Sequence, residues 1–137
     1  MSDQWAADRI ALMDVMLKYA AGVDERDFDL YRSCFADDVE VLDFGPGPIH
    51  GGDAWLAYVK NALERFGPTQ HMLGPQLATV DGDKAHCRTD VQAHHTLKDP
   101  EGQWLTLWAT YETDMQRIDG QWKIKKHRLV SRGTKQW

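Results

Sequence analysis

The sequence predicts an α+β fold in which a curved antiparallel sheet wraps around three N-terminal helices. Apolar residues recur at helical spacing through most of the first half of the chain. From Thr69 onward, alternating apolar and polar residues follow one another between hairpin turns at residues 81–83, 99–102 and 119–120. Helices followed by an antiparallel meander are typical of α+β domains, and such a sheet leaves an internal cone that suits a small-molecule site.

The approximate limits of the elements follow from apolar periodicity and from turn residues. We expect helices at about residues 3–22, 28–34 and 53–66. Their candidate N-caps are Ser2 or Asp3, Asp27 and Asp53, and Gly22 and the Gly67-Pro68 pair are expected to end the first and third helices. We expect strands at about residues 39–44, 71–73, 76–81, 84–97, 104–117 and 121–134.

Length and composition indicate one domain spanning residues 1–137, with 42% hydrophobic residues and no need for disulfides or a structural metal. The net charge is −5, and the late Lys and Arg residues alternate along a strand, so a nucleic-acid partner is not expected. No apolar run approaches the roughly 18 residues of a membrane span, and the polar N-terminus gives no sign of a signal peptide. The two cysteines, Cys34 and Cys87, lie in apolar contexts and fit a reduced, cytoplasmic protein.

Asp24 and His71 are polar residues without an evident structural purpose. Asp24 lies between the first two helices, where Asp27 is better placed as the cap. His71 begins a strand, and its structural alternative is a core histidine bonded to the backbone. A carboxylate behind an imidazole fixes the tautomer and stabilises the cation formed on proton uptake. A neutral imidazole in this position could act as a general acid–base, which typically contributes about 10²–10⁴-fold in rate.

Strand alternation sorts the later candidates by face. His95 shares the parity of the apolar residues on its strand and is predicted to face the cone, whereas His94 faces the other side unless a bulge intervenes. Tyr111 has inward parity on the next strand, and Trp108 has outward parity. The histidines and Asp24 could converge on an ion, but no His-x-His or HExxH spacing is present, so neither a metal nor a cofactor is expected.

Tyr19 and Arg128 complete the set of candidates. Tyr19 lies on the apolar stripe of the first helix, either as a core residue or as a donor to a substrate oxygen. Arg128 shares parity with Ile124 and is predicted to point inward, where an unpaired charge is costly. Arg128 would either pair with a buried carboxylate such as Asp24 or stabilise an oxyanion. The remaining histidines, His50, His86 and His127, are predicted to lie on the surface.

The chain resembles the SnoaL-like branch of the nuclear transport factor 2-like superfamily, which has a cystatin-like fold. The matching segments, in family order, are residues 8–10 (DRI), 19–20 (YA), 23–28 (VDERDF), 34–39 (CFADDV), 70–71 (QH), 82–85 (GDKA), 93–95 (AHH), 111–112 (YE) and 120–124 (GQWKI). The resemblance implies that Asp24 and His71 form the Asp–His pair of the dehydratase and dehydrochlorinase relatives. It also implies that Tyr19 matches the tyrosine of the dehydratases and that Arg128 falls near a late pocket arginine of some relatives.

These observations together suggest a cofactor-independent lyase that eliminates water from an aromatic or polycyclic molecule. Asp24, His71, Tyr19 and Arg128 are the candidate catalytic residues, and His95, His94, Tyr111 and Phe35 are the candidate substrate-binding residues. An isomerase or polyketide cyclase, a carbon–carbon lyase that releases a small aldehyde, a non-catalytic binding domain and a dioxygenase small subunit are the alternatives on this scaffold. Outward-facing Trp104 and Trp108 predict a homodimer or higher homo-oligomer through the sheet face.

Overall fold

The computed structural model describes residues 2–137, which form three helices and seven strands. Their bounds in chain order are α1 (Asp3–Asp24), α2 (Phe28–Ser33), β1 (Phe35–Leu42), β2 (Ile49–His50), α3 (Gly52–Leu63), β3 (Phe66–Leu73), β4 (Leu77–Asp81), β5 (Lys84–Leu97), β6 (Trp104–Ile118) and β7 (Gln121–Gln136). No helix within residues 2–137 is both long enough and apolar enough to span a membrane.

The first two helices begin as their sequences predict. The Ser2 side chain accepts a hydrogen bond from the Trp5 backbone, and the Asp27 side chain accepts one from the Leu30 backbone. Gly22 does not end α1 but lies within it, where it allows close contact with α2. A Cβ atom at Gly22 would lie 2.8 Å from the Tyr31 backbone nitrogen, so only glycine lets α1 and α2 approach this closely.

The third helix departs from the prediction at both ends. Gly51, with φ of 98°, precedes α3 and supplies no side-chain cap, while Asp53 lies in the first turn and pairs with Arg32 at 3.0 Å. Phe66 lies in β3 rather than in the helix. Residues 66–70 extend along the far end of β5, and this added pairing converts the predicted helix end into the start of a strand.

The strands form one curved, unclosed sheet in the order β2-β1-β7-β6-β5-β3, with β4 also paired to β5. The predicted α+β fold with helices first and a curved sheet last is confirmed. The sheet is not antiparallel throughout, because β1 pairs with β7 in the parallel direction. That pairing follows from α2 leading directly into β1, which brings the strand to the free edge of β7.

Two irregularities in β7 change the direction in which its side chains point. Asp114 pairs with Lys126 but Met115 pairs with Ile124, so Lys125 is an extra residue on β7. A second shift leaves Arg132 extra farther along the strand. One extra residue inverts the inward and outward alternation of everything beyond it. As a result Ile124 and His127 both face the core.

Candidate active site

Asp24 and His71 form a closely bonded pair at one end of the cone. His71 Nδ1 lies 2.7 Å from Asp24 Oδ1, and the His71 backbone N–H donates to Asp24 Oδ2 at 2.8 Å. Burial would raise the pKa of Asp24, but hydrogen bonds and the charge interaction with His71 outweigh it and lower the pKa. An ionised carboxylate only accepts hydrogen bonds, so His71 donates from Nδ1 and keeps its lone pair on Nε2.

Arg26, which the sequence did not reveal as important, fastens the Asp24 turn to β3. Its guanidinium donates to the Val23 carbonyl at 2.7 Å, to Thr69 Oγ1 at 2.9 Å and to the Gly67 carbonyl at 2.7 Å. Thr69 in turn donates to Asp24 Oδ1 at 3.0 Å. Arg26 has φ of 57°, an uncommon left-handed conformation for a residue other than glycine. This bonding holds Asp24 against His71.

The His71 side chain lines a cavity of about 150 Å³ between the helices and the inner sheet face. Apolar and aromatic side chains from α1, α2, α3 and strands β3, β5 and β6 form most of its wall. They are Tyr19, Val23, Tyr31, Phe44, Trp55, Tyr58, Val59, Ala62, Leu63, Phe66, Ala93, Leu107 and Tyr111, together with His71 and His95. Because Nδ1 of His71 is bonded to Asp24, Nε2 is the nitrogen that remains for a molecule in this cavity.

His95 faces the same cavity, as its parity predicts. Its Nδ1 lies 3.0 Å from the Leu105 carbonyl, which only accepts, so the ring donates there and presents the Nε2 lone pair. The ring centroids of His71 and His95 are 5.7 Å apart. Burial lowers the pKa of His95, although its bond to Leu105 opposes this, so the ring is neutral near pH 7. The cavity therefore contains two imidazoles on neighbouring strands.

Tyr19 also lines the cavity, and it is bonded to a histidine that was predicted to lie on the surface. Tyr19 Oη lies 2.7 Å from Nε2 of His127, which has no solvent exposure. Burial lowers the pKa of His127 to about 3, so the ring is neutral. The prediction that His127 is exposed is wrong, because the Lys125 bulge turns it inward. The local sequence is rich in lysine and contains no signal that predicts the bulge.

The structure keeps Arg128 away from the cavity. Its side chain is 54% exposed, and Nε donates to Asp43 Oδ2 at 3.0 Å on the outside of the sheet. The prediction that Arg128 points inward is wrong for the same reason, since the bulge at Lys125 reverses its parity. Neither the ion pair with Asp24 nor an oxyanion contact is available from this position.

His94 and Phe35 also lie outside the cavity wall. His94 is on the outer sheet face, where its Nδ1 lies 3.1 Å from Thr106 Oγ1 and its ring is near Trp104. A substrate-binding role for His94 does not fit this position. Phe35 is buried behind the wall, with its ring centroid 5.8 Å from that of Tyr19. Phe35 therefore supports the cavity without lining it.

Three aromatic residues that were not singled out from the sequence shape the cavity. Trp55 and Tyr58 project from α3 with their rings stacked at 5.6 Å, and Phe44 packs against Trp55 at 4.9 Å. The Tyr58 hydroxyl donates to the Phe44 carbonyl at 3.2 Å, which fixes the loop after β1. Trp55 is buried on α3, and its place at the cavity depends on tertiary packing.

Within residues 2–137, no group of three or more His, Cys, Asp or Glu side chains is arranged to hold a metal ion. Both cysteines are free and buried, and burial raises the pKa of each thiol to about 11. The thiols are therefore protonated near neutral pH. The polar side chains at the cavity are His71, which is bonded to Asp24, His95 and the tyrosines.

Comparisons with known proteins agree with this architecture. The chain is 28% identical over 122 residues to an uncharacterized protein of Mycobacterium tuberculosis, covering 86% of this chain and 81% of the relative. It is 30% identical over 122 residues to hexachlorocyclohexane dehydrochlorinase 1 of Sphingobium indicum, covering 88% of this chain and 79% of the relative.

Solved structures extend the similarity over the whole chain. A type 2 hexachlorocyclohexane dehydrochlorinase (LinA) superposes with a TM-score of 0.89 at 27% identity, over 99% of this chain and 93% of that one. A Novosphingobium aromaticivorans protein named for scytalone dehydratase gives a TM-score of 0.91 at 24% identity, over 100% of this chain and 92% of that one, and shares the fold.

The family model for the SnoaL-like domain matches residues 4–128, which is most of the chain. The resemblance stated from the sequence motifs, including the wider nuclear transport factor 2-like superfamily, is confirmed. That family includes small-molecule lyases and isomerases. The chain belongs to the SnoaL-like family.

Proposed function

We propose that this protein is a cofactor-independent lyase that removes a proton and a neighbouring leaving group from a small, largely apolar ring compound. The observation that supports the proposal is the Asp24–His71 pair, whose bonding leaves Nε2 of His71 facing an apolar cavity. Asp24 is also the last residue of α1, where the helix dipole disfavours a negative charge. A carboxylate held in an unfavourable position by three hydrogen bonds is better explained by chemistry than by stability.

In the proposed reaction, the His71 Nε2 lone pair takes a proton from an acidic C–H of the substrate. The electrons of that C–H bond form a carbon–carbon double bond, and the leaving group departs from the adjacent carbon with its own bonding pair. Asp24 stabilises the imidazolium cation that forms. A leaving hydroxyl takes up one proton as it departs, either from a tyrosine hydroxyl or from His71, and becomes water.

The size of the cavity indicates a single-ring substrate. An apolar cavity of 150 Å³ in a protein core is known to accommodate benzene, and the cavity here is about 150 Å³. Its wall is mainly aromatic and aliphatic, and its polar groups converge from His71, His95 and the tyrosines. The polycyclic substrates considered from the sequence are larger than this space. A monocyclic compound with an activated C–H bond beside a hydroxyl or halide fits better.

An isomerase is the second candidate, and one observation favours it. His95 presents a second neutral imidazole to the cavity, 5.7 Å from His71 between ring centroids. A proton taken by His71 could return to a different carbon if the second imidazole assists its transfer. Elimination and isomerisation share the first step, so they are distinguished by whether a leaving group is released.

The test uses two single-ring probes and follows three signals. 3-Hydroxycyclohexanone reports elimination through the ultraviolet absorbance of the cyclohexenone product, and 3-chlorocyclohexanone, a halide of similar size, reports it through chloride release. Proton abstraction is measured separately by NMR, as exchange of ring C–H for deuterium in D₂O. We expect exchange and product with the wild type, and a fall of about 10²–10⁴-fold in His71→Ala.

The chain offers a matched control for that variant. His86 Nδ1 lies 2.6 Å from Asp114 Oδ1, which reproduces the Asp–His contact on the exposed outer face of the sheet. His86→Ala should therefore keep the wild-type rate. Deuterium exchange without release of water or chloride would favour the isomerase. Equal rates in His71→Ala and the wild type would contradict both candidates.

A further inference from the structure

The proposed elimination uses a proton donor in the cavity, and most N–H and O–H groups of the cavity wall are already engaged. Trp55 Nε1 donates to Tyr31 Oη at 3.0 Å, and the Tyr58 hydroxyl donates to the Phe44 carbonyl. The two imidazoles present lone pairs, as described above. The remaining donors of the wall are the hydroxyls of Tyr19, Tyr31 and Tyr111, of which Tyr19 interacts with both of the others. Burial raises the pKa of each, so all three keep their protons.

The availability of the Tyr19 proton depends on His127, which lies behind it. The two side chains are joined by one hydrogen bond of 2.7 Å between Tyr19 Oη and His127 Nε2. His127 Nδ1 is buried and has no hydrogen-bond partner within residues 2–137. A neutral imidazole carries one proton, which is on either Nδ1 or Nε2.

The two tautomers have different costs. With the proton on Nδ1, a buried N–H would be unpaired and the Tyr19 proton would be used to bond Nε2. With the proton on Nε2, His127 donates to Tyr19, Nδ1 keeps an unpaired lone pair, and the Tyr19 proton is freed for the neighbouring Tyr31 and Tyr111 hydroxyls or for a bound molecule. Unpaired buried N–H groups are rarer in proteins than under-satisfied acceptors, and this favours the proton on Nε2.

We propose that His127 is a positioning residue whose Nε2–H donates to Tyr19 Oη and thereby directs the Tyr19 hydroxyl proton into the cavity. Tyr19 then donates to a hydroxyl, carbonyl or halide of the bound molecule. Accepting a hydrogen bond also strengthens the hydroxyl as a donor. The proposal rests on the proposed function for its chemical purpose, but the position of the proton can be measured without turnover.

The first test is ¹⁵N NMR of histidine-labelled wild-type protein, which distinguishes protonated from unprotonated ring nitrogens. We expect His127, assigned from its absence in His127→Gln, to show a protonated Nε2 and an unprotonated Nδ1 near neutral pH. The reverse pattern, or two protonated nitrogens, would overturn the proposal. This measurement decides the tautomer whether or not any ligand binds.

The second test uses cyclohexanone, labelled with ¹³C at its carbonyl, as a benzene-sized probe with a single acceptor. Its carbonyl stretching frequency falls when Tyr19 donates to it, and Tyr19→Phe should remove that fall. His127→Phe keeps a ring but cannot donate, so it should weaken the shift, whereas His127→Gln can donate through its amide and should restore it.

The competing tautomer predicts the opposite sign for one variant. If Tyr19 donates to His127, His127→Phe would release the Tyr19 proton and strengthen the shift of the bound ketone. A stronger shift in His127→Phe, or an unchanged shift in Tyr19→Phe, would overturn the proposal. A purely structural role for His127 would change the melting temperature of both His127 variants without separating them by carbonyl frequency.

Discussion

Replacing Asp24 with asparagine should disable His71 as a base, because the ring proton of His71 should move from Nδ1 to Nε2. The carboxylate accepts from His71 Nδ1 at 2.7 Å and Thr69 Oγ1 at 3.0 Å through Oδ1, and from the His71 backbone at 2.8 Å through Oδ2. Asparagine has one oxygen and one NH₂ group in place of these two oxygens. The backbone N–H of His71 can only donate, so it should bond to the asparagine oxygen. The NH₂ group of asparagine then faces Nδ1.

An NH₂ group beside Nδ1 favours the tautomer with its proton on Nε2, which then presents an N–H to the cavity instead of a lone pair. The loss of general-base help is expected to lower the rate by about 10²–10⁴-fold. Hydrogen bonds to charged groups contribute about 1.5–3 kcal/mol each, and part of this is recovered by the amide, so we expect unfolding to become easier by about 1–3 kcal/mol.

The assay combines deuterium exchange of 3-hydroxycyclohexanone, urea unfolding at pH 7, and ¹⁵N NMR of His71. Asp27→Asn is the matched control, because Asp27 accepts one backbone hydrogen bond as the N-cap of α2 and asparagine caps equally well. The control should retain wild-type exchange and stability. If Asp24→Asn moved the proton of His71 to Nε2 and still exchanged as fast as Asp27→Asn, the assignment of His71 as the base would be refuted.

Three further predictions follow from side chains away from the Asp24–His71 pair. Arg128→Ala should keep activity and change stability by less than about 1 kcal/mol, because the exposed pair with Asp43 is a surface ion pair; a large loss of turnover would contradict this. Folding lowers the pKa of His127 from 6.5 to about 3, so between these values the unfolded chain binds a proton that the folded protein does not. The free energy of unfolding should therefore be unaffected by His127 above pH 6.5 and should decrease as the pH falls toward 3. That loss is about 4–5 kcal/mol, and urea unfolding of His127→Gln should show a flatter acid limb. We propose that Trp104 and Trp108, 36% and 40% exposed, form a homodimer face; light scattering should give more than 15.7 kDa for the wild type and 15.7 kDa for Trp108→Glu.

The fold was accessible from the sequence because its signals are local and repeated. The strand predicted at residues 84–97 is observed as Lys84–Leu97, since thirteen cross-strand pairs with β6 run without interruption and preserve the alternation. The ends of α1 and α3 were harder to predict from the sequence. Gly22 and Phe66 have local preferences that tertiary contacts override, one through the approach of Tyr31 and the other through pairing with β5.

The candidate site was predictable only where side-chain direction follows from unbroken alternation. His95 faces the cavity as expected because β5 has no bulge, whereas Arg128 and His127 exchange faces because one extra residue at Lys125 inverts the pattern. A bulge is chosen by the geometry of two neighbouring strands, and the sequence of β7 alone does not contain that geometry. The consequence is chemical as well as structural. The inversion replaces a charged guanidinium at the tyrosine side of the cavity with a neutral imidazole, so proton donation there depends on hydroxyl groups.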